Sequence, residues 1–297
     1  MFAFVTSERF SPLEPRDRDR LEKLAKLDEF DAGATILESG KHTDWLYLIT
    51  SGAVDVKGTT ARGETTVVPL GPGDIFGELE AFCELPAGFR YVARADTIVR
   101  AVPKGPLMHE LKVHRTLASG LLAVYCKSIS EKVRAANEVA VRLGPFPAGS
   151  RPPPPASADG GRAPHLDRDE ASWISLLGQR IEVANGETIV AEGDTSRAFY
   201  VIEKGELEVR KRTAEGAERA LAHLGERDMF GFMAFVDGKP RSASVVAITP
   251  GYLSKVEPEM LEKATHLNFT VSFKFLGTLC AVLGRTYRDT CAAILRA

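Results

Sequence analysis

The sequence contains a tandem repeat, and this repeat constrains the fold more than any other feature of the chain. Matching residues lie 153 positions apart, or 154 after one inserted residue. A constant register over so many positions indicates that one structural unit has been duplicated. We call residues 1–144 the first repeat and residues 166–297 the second. The matching pairs are Gly33 and Gly186, Gly40 and Gly193, Tyr47 and Tyr200, Gly52 and Gly205, Gly77 and Gly231, and Pro86 and Pro240.

Each repeat opens with a strand-rich body. Apolar residues in 46–49 of the first repeat, continued by Val54 and Val56, alternate as they do in short strands, and glycines mark the turns between them. Residues 199–202 and Leu207 begin the same pattern in the second repeat. Many short strands separated by turn signals are typical of a sandwich or a barrel.

Helical spacing of apolar residues flanks these bodies. Leu21, Leu24, Ala25 and Leu27 form one apolar face before the first body. Longer helical patterns follow each body, at residues 107–133 in the first repeat and at residues 258–295 in the second. We therefore predict a mainly β fold with flanking α-helices, in which each of two barrels is followed by long helices.

A Pro- and Gly-rich segment separates the repeats. Residues 145–165 include four consecutive prolines, which cannot donate the hydrogen bonds of a helix or an inner strand. We predict that this segment is a linker, partly stiffened into polyproline II, between domains at 1–144 and 166–297. A proline run can also be the ligand of an SH3 domain, and that alternative stays open.

Composition excludes several classes of function. The formal net charge of -2 is unlike the excess of Lys and Arg that DNA-binding proteins place on one face. No apolar run is long enough to span a membrane, and residues 1–10 lack the apolar segment of a signal peptide. The six histidines form no catalytic or metal-binding motif. We predict a cytoplasmic protein that is not an enzyme and that has no metal site. Its thiols are expected to be reduced; they are Cys83, Cys126, Cys280 and Cys291.

Two short segments point to a known family. Phe76-Gly77-Glu78-Leu79 leads to Pro86 in the first repeat, and Phe230-Gly231-Phe232 leads to Pro240-Arg241-Ser242 in the second. Together with the spaced glycines, these segments resemble the cyclic-nucleotide-binding domain family, which includes the catabolite activator protein and the regulatory subunits of protein kinase A. The resemblance implies two β jelly-roll barrels, each with a phosphate-binding cassette and a long helix that closes over the bound base. Before Leu21 we see no basic pseudosubstrate stretch, so inhibition of a kinase is not implied.

The resemblance implies which residues would bind a cyclic nucleotide. A glycine opens a short cassette helix, a glutamate accepts from the ribose 2′-hydroxyl, and an arginine binds the exocyclic phosphate oxygens. The implied ligand-binding residues are Phe76, Gly77, Glu78, Leu79 and Arg90 in the first repeat, and Gly231, Arg241 and Ser242 in the second.

Neither repeat has both charged anchors. The first repeat has Glu78 but Ala87 at the arginine position, whereas the second has Arg241 but Phe232 at the glutamate position. Losing one charge-assisted contact costs about 1.5–3 kcal/mol, so each site is expected to bind roughly ten- to a hundredfold more weakly. Arg90 or Arg94 could replace the lost arginine, or Arg90 could be a solvated surface residue. Arg241 could likewise be structural, and Phe232 could fill the pocket.

Two functional hypotheses follow. The first is a regulatory sensor of cAMP, cGMP or a cyclic dinucleotide that controls an unidentified partner protein. The second is a ligand-independent scaffold with degenerate domains that uses its barrels and helices as docking surfaces. A homodimer through the apolar tail helix is compatible with both, although Gly277 and Gly284 interrupt any heptad pattern.

Overall fold

The computed structural model describes residues 3–41, 43–60, 63–79, 89–143, 165–261 and 269–296. The chain divides into two compact units, Met1–Ala136 together with Leu295–Ala297, and Asn137–Ile294. The predicted linker lies outside the described residues except for His165. Its conformation and the predicted domain boundaries therefore stay predictions.

The first repeat folds as two four-stranded antiparallel sheets with flanking helices. Its elements are α1 (Pro15–Leu24), β1 (Lys26–Phe30), β2 (Thr35–Leu37), β3 (Trp45–Ser51), β4 (Val54–Thr60), β5 (Gly63–Leu70), β6 (Ile75–Phe76), β7 (Arg90–Ala93), β8 (Thr97–Pro103), α2 (Lys104–Val113) and α3 (Arg115–Leu143). The strand orders are β1-β8-β3-β6 and β2-β7-β4-β5. Apart from the β4–β5 hairpin, strands adjacent in sequence thus alternate between the sheets, which is the connectivity of a jelly roll.

The second repeat has the same topology. Its elements are α4 (Arg168–Ser175), β9 (Gln179–Val183), β10 (Thr188–Val190), β11 (Phe199–Lys204), β12 (Leu207–Arg212), β13 (Glu218–Leu224), β14 (Met229–Phe230), α5 (Phe232–Asp237), β15 (Ser244–Ala247), β16 (Gly251–Val256) and α6 (Phe269–Arg296). The sheets run β14-β11-β16-β9 and β10-β15-β12-β13. The predicted fold class, two barrels with flanking helices, is confirmed.

The cores explain the alternating sequence pattern. In the second repeat, apolar side chains from strands of both sheets form one buried cluster that includes Tyr200, Leu207 and Phe230. The ring of Tyr200 stacks on Phe230 with centroids 4.8 Å apart, as the ring of Tyr47 stacks on Phe76 at 4.6 Å in the first repeat. Burial raises the pKa of both tyrosines. The repeated Tyr and Phe positions therefore record one core contact that both repeats retain.

Helix ends follow local sequence signals. Pro15 is the first residue of α1, where its missing N–H group is not needed. Before α4, the Asp167 carboxylate accepts from the Glu170 N–H at 2.7 Å, and the Glu170 carboxylate accepts in return from the Asp167 N–H. This capping box fixes the point at which α4 begins.

One predicted helix boundary was wrong. Leu27 does not continue the apolar face of α1, which ends at Leu24, but lies in strand β1 with 47% of its surface exposed. The backbone turns to an extended conformation at Ala25. The helical spacing of four apolar residues did not show where the helix ends. Among the residues described, no helix has both the length and the hydropathy needed to cross a bilayer.

Candidate functional site

Both cassettes begin at a glycine with left-handed backbone. Gly77 has φ +86° and Gly231 has φ +80°. A Cβ atom at Gly77 would lie 2.5 Å from the Trp45 carbonyl oxygen, and one at Gly231 would lie 2.8 Å from Nη1 of Arg241. Glycine is therefore required for its backbone conformation and for the close approach of its neighbours.

The cassette helix of the second repeat is complete in the structure. Helix α5 runs from Phe232 to Asp237 between two left-handed glycines, Gly231 and Gly238. Phe232 is only 4% exposed. An apolar ring is thus buried at the position that the resemblance assigns to the ribose-binding glutamate.

Arg241 is placed against the start of this cassette. Its guanidinium donates from Nη1 to the Gly231 carbonyl and from Nη2 to the Ala198 carbonyl, each at 2.6 Å. Nη2 also lies 3.1 Å from the Ser196 hydroxyl. The residue is 4% exposed. A buried cation therefore joins the cassette turn to the loop before β11, and Arg241 is structurally engaged without a ligand.

The loop beside Arg241 carries an acidic residue that sequence reasoning missed. The Ser196 hydroxyl donates to the Asp194 carboxylate at 2.7 Å, and the backbone of Asp194 accepts from the Arg241 N–H at 2.8 Å. The hydrogen bonds from Ser196 and the charge of Arg241 hold the pKa of Asp194 below its ordinary value. Nothing in the linear spacing of Asp194 and Arg241 indicates this contact.

Ser242, the next predicted site residue, makes its main hydrogen bond through its backbone carbonyl. Its carbonyl accepts from the Lys211 ammonium at 2.9 Å, and that ammonium also bonds to the Glu192 carboxylate at 3.1 Å. The Ser242 hydroxyl lies 4.0 Å from the Met233 sulfur, which is a weak contact. The structure thus brings Gly231, Arg241 and Ser242 together around one turn.

The first repeat places its glutamate in a buried polar cluster. The backbone is helical from Glu78, whose side chain is 1% exposed. Its Oε1 accepts from the ammonium of Lys132 and, at 3.1 Å, from the hydroxyl of Ser128; both donors lie on α3. Glu78 Oε2 is buried and has no hydrogen-bond partner among the described residues.

The remaining predicted residues of the first repeat divide into core and surface. Phe76 and Leu79 are buried. Arg90 is 41% exposed and pairs with Glu64, to which Lys57 also donates. The hydrogen bond from Lys57 and the nearby positive charges hold the pKa of Glu64 low. Arg94 is more exposed still and lies 3.5 Å from Asp55. Arg90 and Arg94 thus pair with acidic residues at the protein surface, Arg94 with the largely buried Asp55, whereas Pro86 and Ala87 lie outside the described residues.

Sequence reasoning also missed Lys132 and Ser128. The usable signal was Lys132 itself, because it stands between Ile129 and Val133, which are both fully buried. Lys132 also shares a helix face with Ile129 and Ala136, and a lysine on such a buried face needs a buried acceptor. In the part of the chain that the structure describes, no group of His, Cys, Asp and Glu is arranged to bind a metal ion. Three of the four predicted thiols, Cys126, Cys280 and Cys291, are buried and form no disulfide among the described residues.

Comparisons with known proteins point to one family. A family model described as "Cyclic nucleotide-binding domain" matches residues 27–114 and 180–266, more than half of the chain. The regulatory subunit of cAMP-dependent protein kinase from Blastocladiella emersonii is 24% identical over 259 residues, 87% of this chain and 54% of that protein. The corresponding subunit from Aspergillus fumigatus is 30% identical over 224 residues, 72% of this chain and 46% of that one.

The chain thus spans about half of the length of these curated relatives. A solved structure, the regulatory domain of Toxoplasma gondii protein kinase A with cAMP, aligns over 90% of each chain with 18% identity and a TM-score of 0.34. Two matched segments, both jelly rolls with a left-handed cassette glycine, place this chain in the cyclic-nucleotide-binding domain family.

Proposed function

We propose that the chain is a non-enzymatic regulatory protein that senses a cyclic nucleotide and controls a partner protein. The observation that carries this proposal is the buried guanidinium of Arg241 at the cassette turn of the second repeat. An arginine held against the start of a cassette is preorganised for an anionic phosphate, because its planar fork matches pairs of phosphate oxygens. The relatives, which are regulatory subunits of a kinase, support a regulatory role.

The two repeats are proposed to contribute unequally. The second repeat has the phosphate cation but a buried Phe232 in place of a hydroxyl acceptor. The first repeat has the acceptor, Glu78, whose Oε2 is unoccupied by any described donor. Binding of cAMP or cGMP is therefore expected to be strongest in the second repeat, where the charge of the phosphate is matched.

Calorimetric titration with cAMP, cGMP and cyclic di-GMP tests the proposal, with adenosine as a ligand that lacks the phosphate. We expect saturable binding of a cyclic nucleotide, weaker in Arg241→Lys and absent for adenosine. Phe232→Glu restores the missing acceptor and should strengthen binding roughly ten- to a hundredfold, whereas Phe232→Leu, the control for loss of the ring, should not. No heat from the folded wild type and from Phe232→Glu would refute sensing.

A ligand-independent scaffold is the second candidate. It is favoured by the buried ring of Phe232 and by the contacts that already occupy the charged anchors of both repeats. A scaffold would bind its partner equally with and without nucleotide. Affinity capture from a cell extract, with and without cAMP, separates the two functions, since only a sensor changes the amount of partner captured.

The proposal does not name the partner protein. A homodimer and a cytoplasmic location are further parts of the proposal. Because the relatives are regulatory subunits of protein kinase A, the catalytic subunit of that kinase is the first partner to test. Size-exclusion chromatography with light scattering would report both a complex with that subunit and a homodimer. A monomer that forms no complex would refute both assemblies.

A further inference from the structure

The polar contact between the cassette and α3 in the first repeat has a feature that the proposed function does not use. Lys132 is 2% exposed and Glu78 is 1% exposed, so both charges of this ion pair are withdrawn from water. Removing one member of such a pair is strongly destabilising because the other charge stays buried without compensation. Water therefore cannot easily replace either partner, and the pair joins α3 to the cassette.

A second contact fixes the neighbouring residue of α3. Glu131 Oε2 accepts from Arg9 at 2.8 Å, and Arg9 also donates to the Gly73 carbonyl at 2.8 Å in the turn before β6. Glu131 and Lys132 thus bind two different parts of the same repeat from consecutive positions. Because they project about 100° apart around the helix axis, they restrain both the rotation and the position of α3.

The second repeat provides an internal comparison. At the 154-residue spacing of the cassette glycines, Cys126 on α3 corresponds to Cys280 on α6, and both side chains are buried. At this spacing, the polar cluster of the first repeat has no polar counterpart that could form an ion pair. The residues that correspond to Glu78, Ser128 and Lys132 are Phe232, Val282 and Thr286.

In the second repeat, α6 contacts the cassette helix through aromatic packing at a different position. The ring of Phe275 on α6 lies 6.0 Å, between centroids, from Phe235 on the cassette helix and 5.6 Å from Phe199. Apolar packing has no fixed direction and tolerates sliding, whereas a hydrogen-bonded ion pair has one defined geometry. The corresponding helices α3 and α6 thus contact their cassettes differently, α3 through an ion pair and α6 through aromatic rings.

We propose that the ammonium of Lys132 binds the first cassette as an intramolecular ligand. Its ion pair with Glu78 then locks α3 against the cassette in the absence of nucleotide. This lock deepens the proposed function, since it sets the resting state of the helix that the resemblance assigns to signalling. Among the described residues, α3 contacts the first cassette through a charge pair and α6 contacts the second through aromatic rings, so a single charge substitution is expected to release the helix in the first repeat alone.

Hydrogen–deuterium exchange of the nucleotide-free full chain tests the lock. Lys132→Met and Glu78→Gln should each raise exchange at residues 115–136 of α3 at least tenfold, with strands β3 and β8 changed far less. Lys127→Met, on the same helix at a part-buried position, is the matched control and should leave exchange unchanged. The exchanged pair, Glu78→Lys with Lys132→Glu, should recover most of the protection.

Two results would overturn the lock. Exchange in α3 that stays at the wild-type rate in both single variants would show that other contacts dock the helix. Exchange that rises equally in α3, β3 and β8 would show general loss of stability, unless the exchanged pair restores α3 alone. Titration of the same variants with cAMP reports on the proposed function separately: a chain that binds no nucleotide but shows local release of α3 retains the lock and loses the sensor.

Discussion

Arg241 allows the sharpest test of how the second cassette is held together. Replacing it with alanine removes two charge-assisted hydrogen bonds of 2.6 Å and leaves the Ala198 carbonyl buried without its donor. Hydrogen bonds to charged groups contribute about 1.5–3 kcal/mol each, although part of that is regained where water can reach the Gly231 carbonyl. We therefore expect the free energy of unfolding of the second repeat to fall by about 3 kcal/mol.

The assay can be confined to this repeat because the chain has two tryptophans, one in each repeat. In a Trp45→Phe background, Trp173 is the remaining reporter. It lies edge-on to Phe275 at 6.4 Å between centroids, so its fluorescence should change when the second repeat unfolds. Urea denaturation followed at Trp173 should show a lower midpoint with an unchanged slope.

Two further variants make the test specific. Arg241→Lys keeps the charge but cannot reach both carbonyls, so an intermediate loss is expected. Arg197→Ala removes an exposed arginine that donates to the Phe235 carbonyl at 3.1 Å, and should cost less than about 1 kcal/mol. A midpoint for Arg241→Ala within error of that of Arg197→Ala would refute the reasoning, because the guanidinium would then contribute nothing to the fold.

Three other predictions follow from single residues. Gly77→Ala should destabilise the first repeat by more than about 2 kcal/mol beyond Gly40→Ala, since both have positive φ but only Gly77 has a carbonyl 2.5 Å from the new Cβ. Thermal unfolding followed by the fluorescence of Trp45 in a Trp173→Phe background would show the difference. The pKa of Asp194 is lowered in the folded state, so its contribution to stability is present above its unfolded pKa and is lost as pH falls. Asp194→Asn should therefore flatten the loss of stability below about pH 4 in acid titrations. Burial raises the pKa of the Cys291 thiol, so iodoacetamide should label it at neutral pH only after unfolding. Labelling is read by peptide mass spectrometry, and labelling in the native state would contradict the burial of this thiol.

The fold could be predicted from the sequence because its signals are local and repeated. Alternating residues such as Leu46 and Leu48 mark strands, and the glycines at 33, 40, 52 and 77 all have the positive φ that their turns require. The jelly-roll order came from the family resemblance, since alternation alone does not order strands within a sheet. Leu27 shows the limit, because a strand that starts two residues after a helix can continue the helical spacing by chance.

The site could be predicted only in part, for a physical reason. Gly77, Glu78, Gly231 and Arg241 were found because they belong to short motifs in the chain. Their partners lie far away in sequence: Lys132 is 54 residues from Glu78, and Ala198 is 43 residues from Arg241. Such pairs depend on tertiary packing, which no local pattern records. The role of Arg90 likewise depended on Glu64 in a strand that its own motif does not include.

The turn before β6 in the first repeat and the turn before β14 in the second differ in sequence but share their backbone conformation. Gly73 has φ +89° in the first, and Arg227, 154 residues later, has φ +66° without being a glycine. Both use only backbone atoms to bridge to the third strand, from the Gly73 N–H to the Ile49 carbonyl and from the Arg227 N–H to the Ile202 carbonyl, each at 2.8 Å. At this turn the two repeats share the path of the main chain and the Asp that follows, whereas the residue with positive φ differs. Duplicated modules can therefore retain one main-chain conformation at a position where their side chains have diverged.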